Sequence, residues 1–490
     1  MKRNFEFYLT ANGDDRLTLE DSEGSNKYGC QPLPYTHLSY SSSTASTIYP
    51  DTFEYVKKYF MKNEHQLDDK QWVEKEYQKI RDHLRSYIGL EDNVDIALGA
   101  SGTDLELLPI LYFGEKEEIV NIVMAPEEVG GGIKHIGKAQ HFSTKLSNEK
   151  KVSIGETIDG FESYNINYTP LPIRDESGEF IGNKGIEENI YNTVKKYYGH
   201  SKIILHMIYK SKTAIVSPSE SFIEFIHQNY PDVLILVDAC QYRTSPTSIK
   251  KFIELNAMVL LTGSKFFGAP PFCSAILIPS SLRNEFTQTK NVPIGLYDYF
   301  SRYEFPARWQ MFDGVLEKRK NIGLLLRWNA AIYEMKNFAL INEDRFFYTI
   351  KIFNQVFDEV QKEMNYFELE PVPELNTLSE VEKNFSLTLV TFTLDNDSFS
   401  YDDARVLYRQ LLDIDNMPKE YQIACHIGQP VKVKRNAQGS WRASFRISLN
   451  ARFFSKYSGE IFTSQHKQFT LDLKTIFRKL EFLMHKLKSE

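Results

Sequence analysis

Cysteine is scarce in this 490-residue chain: Cys30, Cys240, Cys273 and Cys425 are scattered, and no two form a CxxC pair. That spacing argues against a structural zinc site and a small disulfide scaffold, and makes a reducing compartment the expectation. Long apolar runs are missing too. Stretches such as Val233 to Val237 and Ala257 to Leu261 are strand-sized, far short of the ~20 residues that cross a bilayer. The opening Met1-Lys2-Arg3 leads into mixed aromatic and polar residues rather than the apolar segment of a secretory signal. Nor is there an excess of positive charge. Lys and Arg number 58 against 65 Asp and Glu, a net charge of −7, which gives no electrostatic reason to expect nucleic acid or an anionic membrane as partner. The expectation is a soluble, cytoplasmic protein.

What is present is ample core material. Hydrophobic residues make up 42% and charged residues 25%, the balance of a globular chain, and the length fits a large domain with a smaller companion. The first fifty residues are turn-rich, with Gly13-Asp14-Asp15, Gly24-Ser25-Asn26 and a hydroxyl cluster from Ser41 to Thr47, so they read as an N-terminal surface arm. Residues 51 to about 90 are helical in pattern. Beyond them short apolar runs (Val94 to Leu98, Ile119 to Met124, Lys202 to Met207, Val233 to Val237, Met258 to Leu261, Ala275 to Ile278) alternate with helical stretches such as Glu187 to Tyr198 and Glu220 to Gln228. That alternation predicts an α/β fold with a mostly parallel central sheet flanked by helices. From about residue 320 long helices dominate, followed by strands over Ser386 to Leu394 and Trp441 to Leu449, a helix near Tyr401 to Leu412, and a C-terminal amphipathic helix. The predicted division is an arm at 1–50, a large α/β domain at 51–320 and a small C-terminal α+β domain at 321–490.

One motif misleads. Gly132-Ile133-Lys134-His135-Ile136-Gly137-Lys138 fits the first seven positions of a P-loop, but Ala139 stands where the Mg²⁺-binding hydroxyl is needed. Other strand ends are more informative. The strand from Val233 runs into Asp238-Ala239-Cys240-Gln241, and the strand from Met258 runs into Thr262-Gly263-Ser264-Lys265. In a parallel sheet both ends line the ligand crevice. An acid and an amine there match the needs of pyridoxal phosphate (PLP): the amine forms a Schiff base with the aldehyde, and the acid keeps the pyridine nitrogen protonated. A structural Asp–Lys ion pair is the competing reading. Upstream, Gly99-Ala100-Ser101-Gly102-Thr103 sits at a strand-to-helix turn and offers N–H groups and hydroxyls to an anion.

Taken in order over about residues 35–455, these motifs resemble the fold-type I PLP-dependent enzymes, specifically the class V aminotransferase and cysteine desulfurase group. The resemblance implies Lys265 as the Schiff-base lysine, Asp238 on the pyridine nitrogen and Gln241 on the phenolic oxygen. Ser101, Gly102, Thr103, Thr262 and Ser264 would hold the phosphate. In the strand Trp441 to Leu449, Arg442 and Arg446 share a face, and the group's Arg-x-Ser motif makes Arg446 the favoured grip for a substrate carboxylate, with Arg442 as the other candidate. The sequence also departs from the group. Ser264 replaces the usual His before the lysine, and no aromatic appears at Glu127-Glu128-Val129, where a ring-stacking residue is expected. Ser211-Lys212-Thr213-Ala214 lacks the usual amide. Ile427 stands at the desulfurase cysteine position, with Cys425 two residues earlier. The implied function is a PLP-dependent enzyme acting on a small amino-acid-like substrate, an aminotransferase first and a β/γ-lyase second, with a non-catalytic scaffold as the reading of another class. The implied assembly is a homodimer, with the Gly29 to Pro32 turn and the Ser41 to Thr47 cluster lining a partner's pocket mouth.

Overall fold

The computed structural model describes residues 4–20, 24–34, 37–287, 291–394, 399–415, 417–435, 439–456 and 462–489. In chain order its strands are β1 (Leu38–Tyr40), β2 (Asp95–Gly99), β3 (Glu118–Met124), β4 (Asn165–Leu171), β5 (Lys202–Tyr209), β6 (Val216–Ser217) and β7 (Leu234–Asp238). They continue with β8 (Met258–Thr262), β9 (Ser274–Ile278), β10 (Phe367–Glu370), β11 (Leu389–Leu394), β12 (Cys425–Arg435) and β13 (Trp441–Ser448).

The large sheet runs β2-β9-β8-β7-β5-β3-β4, with the short β6 beside β5. β4, β3, β5, β7 and β8 are mutually parallel, and β9 runs antiparallel to β8 and β2. Its central strands bury both faces. Along β3, Val120, Ile122 and Met124 enter one core while Ile119 and Val123 enter the other. β7 divides the same way, with Ile235 and Val237 against Leu234 and Leu236. Burial on both sides is why these strands appear in the sequence as unbroken apolar runs.

A second sheet, β1-β12-β13-β11-β10, is antiparallel except where β1 runs parallel to β12. Three expectations need correction here. Ser386 and Leu387 belong to a helix (Glu380–Leu387) started by the Ser379 side chain, which accepts from Glu382 N, and the strand begins only at Leu389. The helical pattern of residues 51–90 splits into Pro50–Asn63 and Lys70–Ile88, the latter capped by Asp69. The first fifty residues pack into the body of their own chain: Phe5, Leu9 and Tyr40 are buried, and β1 supplies an edge strand. Among the described residues no helix is long and apolar enough to cross a membrane.

Candidate active site

The carboxyl ends of β2, β5, β7 and β8 open onto one cavity of about 650 Å³. Ser101, Gly102, Thr103, Thr262 and Ser264 line it, as do Asp238, Gln241, Lys265 and Arg446. Residues up to 345 positions apart in the chain are thereby brought together, as expected for a crevice at the strand ends of a parallel sheet.

The first wall is the turn after β2. Ser101 caps it reciprocally: its Oγ accepts from Asp104 N at 3.2 Å, and Asp104 Oδ2 accepts from Ser101 N at 2.9 Å. Gly102 lets the turn lie close against Cys240, since a Cβ there would sit 2.7 Å from its Sγ. Across the cavity Thr262 Oγ1 donates to Cys240 O at 3.0 Å and lies 3.4 Å from Ser264 Oγ. These hydroxyls and turn N–H groups form a polar cradle, with the uncharged Ser264 directly before Lys265.

Asp238 ends β7, and Cys240 N donates to its Oδ1 at 3.0 Å, fixing the carboxylate. Burial shifts two groups behind it toward their neutral forms. Burial, with Asp238's charge added, pushes Glu106 well above the usual carboxyl range. Burial pushes His206 down to about 4, opposed by Asp238. Asn121 Nδ2 donates to Gly137 O, so Asn121 Oδ1 receives the Nε2–H of His206 at 2.8 Å and sets its tautomer. The sign for stability follows. Between pH 6.5, the ordinary value, and about 4 the unfolded chain binds the His206 proton and the folded chain does not, so this residue's contribution is present above the window and lost as pH falls through it. Replacing His206 with Gln should therefore flatten the acid loss of stability by about 2–3 kcal/mol between pH 7 and 4. Denaturant titrations of the two proteins at both pH values check this, and parallel curves would refute it.

On the substrate side Arg446 is fully buried on β13. Its Nε donates to Ser43 Oγ at 3.3 Å and its Nη2 to Thr44 Oγ1 at 3.1 Å, while Nη1 has no partner among the described residues. Burial lowers its pKa to about 10, with the Glu128 charge opposing. Gly428 on β12 permits this approach, since a Cβ there would lie 2.5 Å from Ser43 Oγ and 3.0 Å from Arg446 Cβ. Arg442 does not join the site. Four residues along β13 displace it by ~13 Å, and its Nη2 donates to Leu394 O at 2.7 Å. Ile427 is buried in β12 opposite Tyr40. Cys425 is buried beside it, with burial pushing its thiol up to about 12.

Several lining residues were not assigned from the sequence. Arg16 lies between the rings of Phe142 and Phe272, 5.1 Å from each centroid, and donates from Nη2 to Ser101 Oγ at 3.1 Å. Ser43 and Thr44 come from the hydroxyl cluster, but they serve their own chain's cavity, so the placement at a partner's pocket mouth is corrected. The hydroxyl-rich composition marked them; nothing in the composition could say whose pocket they would enter. Where a stacking aromatic was expected, Glu127, Glu128 and Val129 line the cavity, and Cys240 lines it too.

No protein-family model and no curated protein sequence matches the chain. Solved structures do. An alanine–glyoxylate aminotransferase from Nostoc sp. is 14% identical, with 95% of this chain and all of that one covered and a TM-score of 0.53. The apo cysteine desulfurase of Thermococcus onnurineus NA1 is 14% identical over 93% of this chain and 95% of its own, at 0.51. A C-DES mutant solved with glycine covalently linked to its PLP cofactor is 11% identical over 90% and 96%, at 0.53. At such identities the likeness is one of fold: the chain has the fold of the fold-type I PLP-dependent enzymes. The resemblance read from the motifs is borne out at that level.

Proposed function

We propose that the chain is a PLP-dependent enzyme acting on an α-amino acid or related amine, with transamination the leading reading. The observation that carries it is the convergence of Lys265, Asp238 and the two hydroxyl-bearing turns on one cavity. The residues suit the cofactor. The Ser101-to-Thr103 turn, Thr262 and Ser264 suit its phosphate. Gln241 gives one amide proton to Ser43 O at 2.9 Å and keeps a second for the phenolic oxygen, while its Oε1 is unpartnered among the described residues. When bound, PLP supplies an electron-withdrawing ring that takes up the electron pair left at the substrate carbon. Asp238 would hold a proton at the pyridine nitrogen. Lys265 would hold the cofactor's aldehyde and, as a free amine, would carry the substrate's Cα proton. Arg446 Nη1 and its neighbouring N–H groups orient the substrate carboxylate.

A β- or γ-lyase is the second reading, supported by the likeness to a cysteine desulfurase. A version needing a thiol nucleophile finds little support, because Cys425 is buried and protonated and Ile427 has no thiol. A non-catalytic scaffold is disfavoured by the joint presence of amine, acid and cradle. The family resemblance also supports a homodimer, which light scattering would register at twice 57.0 kDa.

The test is chemical. The purified protein should carry a visible absorbance band that borohydride removes, leaving a pyridoxyl group on the peptide containing Lys265. A label on Lys212 would refute the assignment of the lysine, and a protein that takes up no PLP would favour the scaffold.

A further inference from the structure

The cavity contains a further amine with no assigned task. Lys212 follows β5, is half-buried and lines the same cavity as Lys265 and Arg446. Its Nζ donates to Val129 O at 2.6 Å, and an ammonium has three protons to give. Lys210, two residues earlier, differs: it is fully buried and closed off by an ion pair with Glu382. The cavity's carboxylates are engaged elsewhere. Glu128 accepts from Arg174 at 2.8 Å and from Ser211 and Thr213 at 3.0 and 2.9 Å. Glu127 Oε1 accepts from Ile173 N at 2.9 Å, and Asp15 accepts from Thr144. Glu106 is protonated, and Asp238 belongs to the ring side. Lys212 and Arg446 therefore both face the substrate space with donors left over. Burial and the charges of Arg446 and Lys265 push the Lys212 amine down to about 7, the condition of a cation short of a counter-ion, which an incoming anion would restore.

We propose, resting on the reading above, that the substrate carries a second acid group at the end of its side chain, and that Lys212 receives it while Arg446 receives the α-carboxylate. Lys212 and Arg446 line one cavity and each keeps a donor unanswered, which suits a molecule with two anions. A mono-acid leaves one donor unanswered, and the loss of one such contact is worth about tenfold or more in affinity.

Calorimetric binding of unreactive acids to the PLP-loaded protein tests this without turnover. Glutarate or 3-phosphonopropionate should bind at least about tenfold tighter than butyrate, and the better of the two names the acid. Lys212→Met should shrink the gap to about twofold or less, and Lys212→Arg, which keeps the charge, should retain most of it. Thermal melts confirm that both variants fold, and Lys212→Gln serves in place of Met if that variant does not. Equal binding of all three acids by the unaltered protein, or a gap that survives Lys212→Met, overturns the proposal. The two readings fail separately: a borohydride label on Lys265 together with equal acid binding removes only the second acid group, whereas a protein that takes up no PLP removes both.

Discussion

Asp238→Asn should retain bound PLP and lose about 10²–10³-fold in turnover. The replacement keeps the shape, and an amide can still lie against Cys240 N, which now holds Oδ1 at 3.0 Å. What disappears is the negative charge that keeps a proton on the pyridine nitrogen. Nothing nearby can take its place. Burial and Asp238's own charge push the adjacent Glu106 carboxyl well above its ordinary range, and His206, pushed down to about 4, has its Nε2–H committed to Asn121. The ring would lose its protonated nitrogen, and with it the capacity to take up electrons from the substrate carbon. Borohydride fixation measures occupancy, and single-turnover rates measure the chemistry. Near-normal rates at full occupancy would make Asp238 a structural residue.

How much of this was legible in the sequence depended on burial and chain distance. β3, β5, β7 and β8 showed plainly because both of their faces are covered, and the reactive residues stand at their ends, next in sequence to the runs that announce them. β4 was missed because Asn165–Leu171 is mostly half-exposed and includes Pro170, leaving no apolar run. β12 was missed because its pairing with β13 shifts register between Gly428 and Val431, around Pro430, which breaks the period-two pattern. Arg446 and Arg442 were correctly placed on one face, yet a face does not tell which of two positions ~13 Å apart reaches a cavity built by another sheet. Arg16 could not have been found. Its place depends on Phe142 and Phe272, each more than a hundred residues away, and one arginine in a turn-rich segment carries no local signal. Lys212 was noticed only for the amide it replaces.

Deleting residues 1–48 should unfold the chain rather than merely silence it. Phe5, Leu9 and Tyr40 are buried, and losing each removes about 1.5–3 kcal/mol of apolar burial. The larger cost lies in the cations the segment covers. Arg327 is fully buried, and its Nη1 donates to Leu9 O at 3.2 Å and Ala11 O at 2.8 Å. Arg243 gives its Nη2 to Ser42 Oγ at 2.7 Å, and Arg446 has its bonds to Ser43 and Thr44. Arg327 keeps Phe272 O and Arg243 keeps Thr388 Oγ1 and Leu449 O, so each site loses only part of the about 3–5 kcal/mol that a fully unpaired buried charge costs. With the lost apolar burial, the three together still draw heavily on the ~5–15 kcal/mol that keeps a domain folded. This outcome does not depend on a second subunit, since every contact lies within one chain. A shorter deletion, residues 1–12, isolates Arg327: it should melt well below the full chain, and adding Arg327→Met should recover part of the loss by removing the orphaned charge. Circular dichroism melts of the four proteins decide it. A chain lacking residues 1–48 that melts with the full-length protein would return the segment to the role of a dispensable arm.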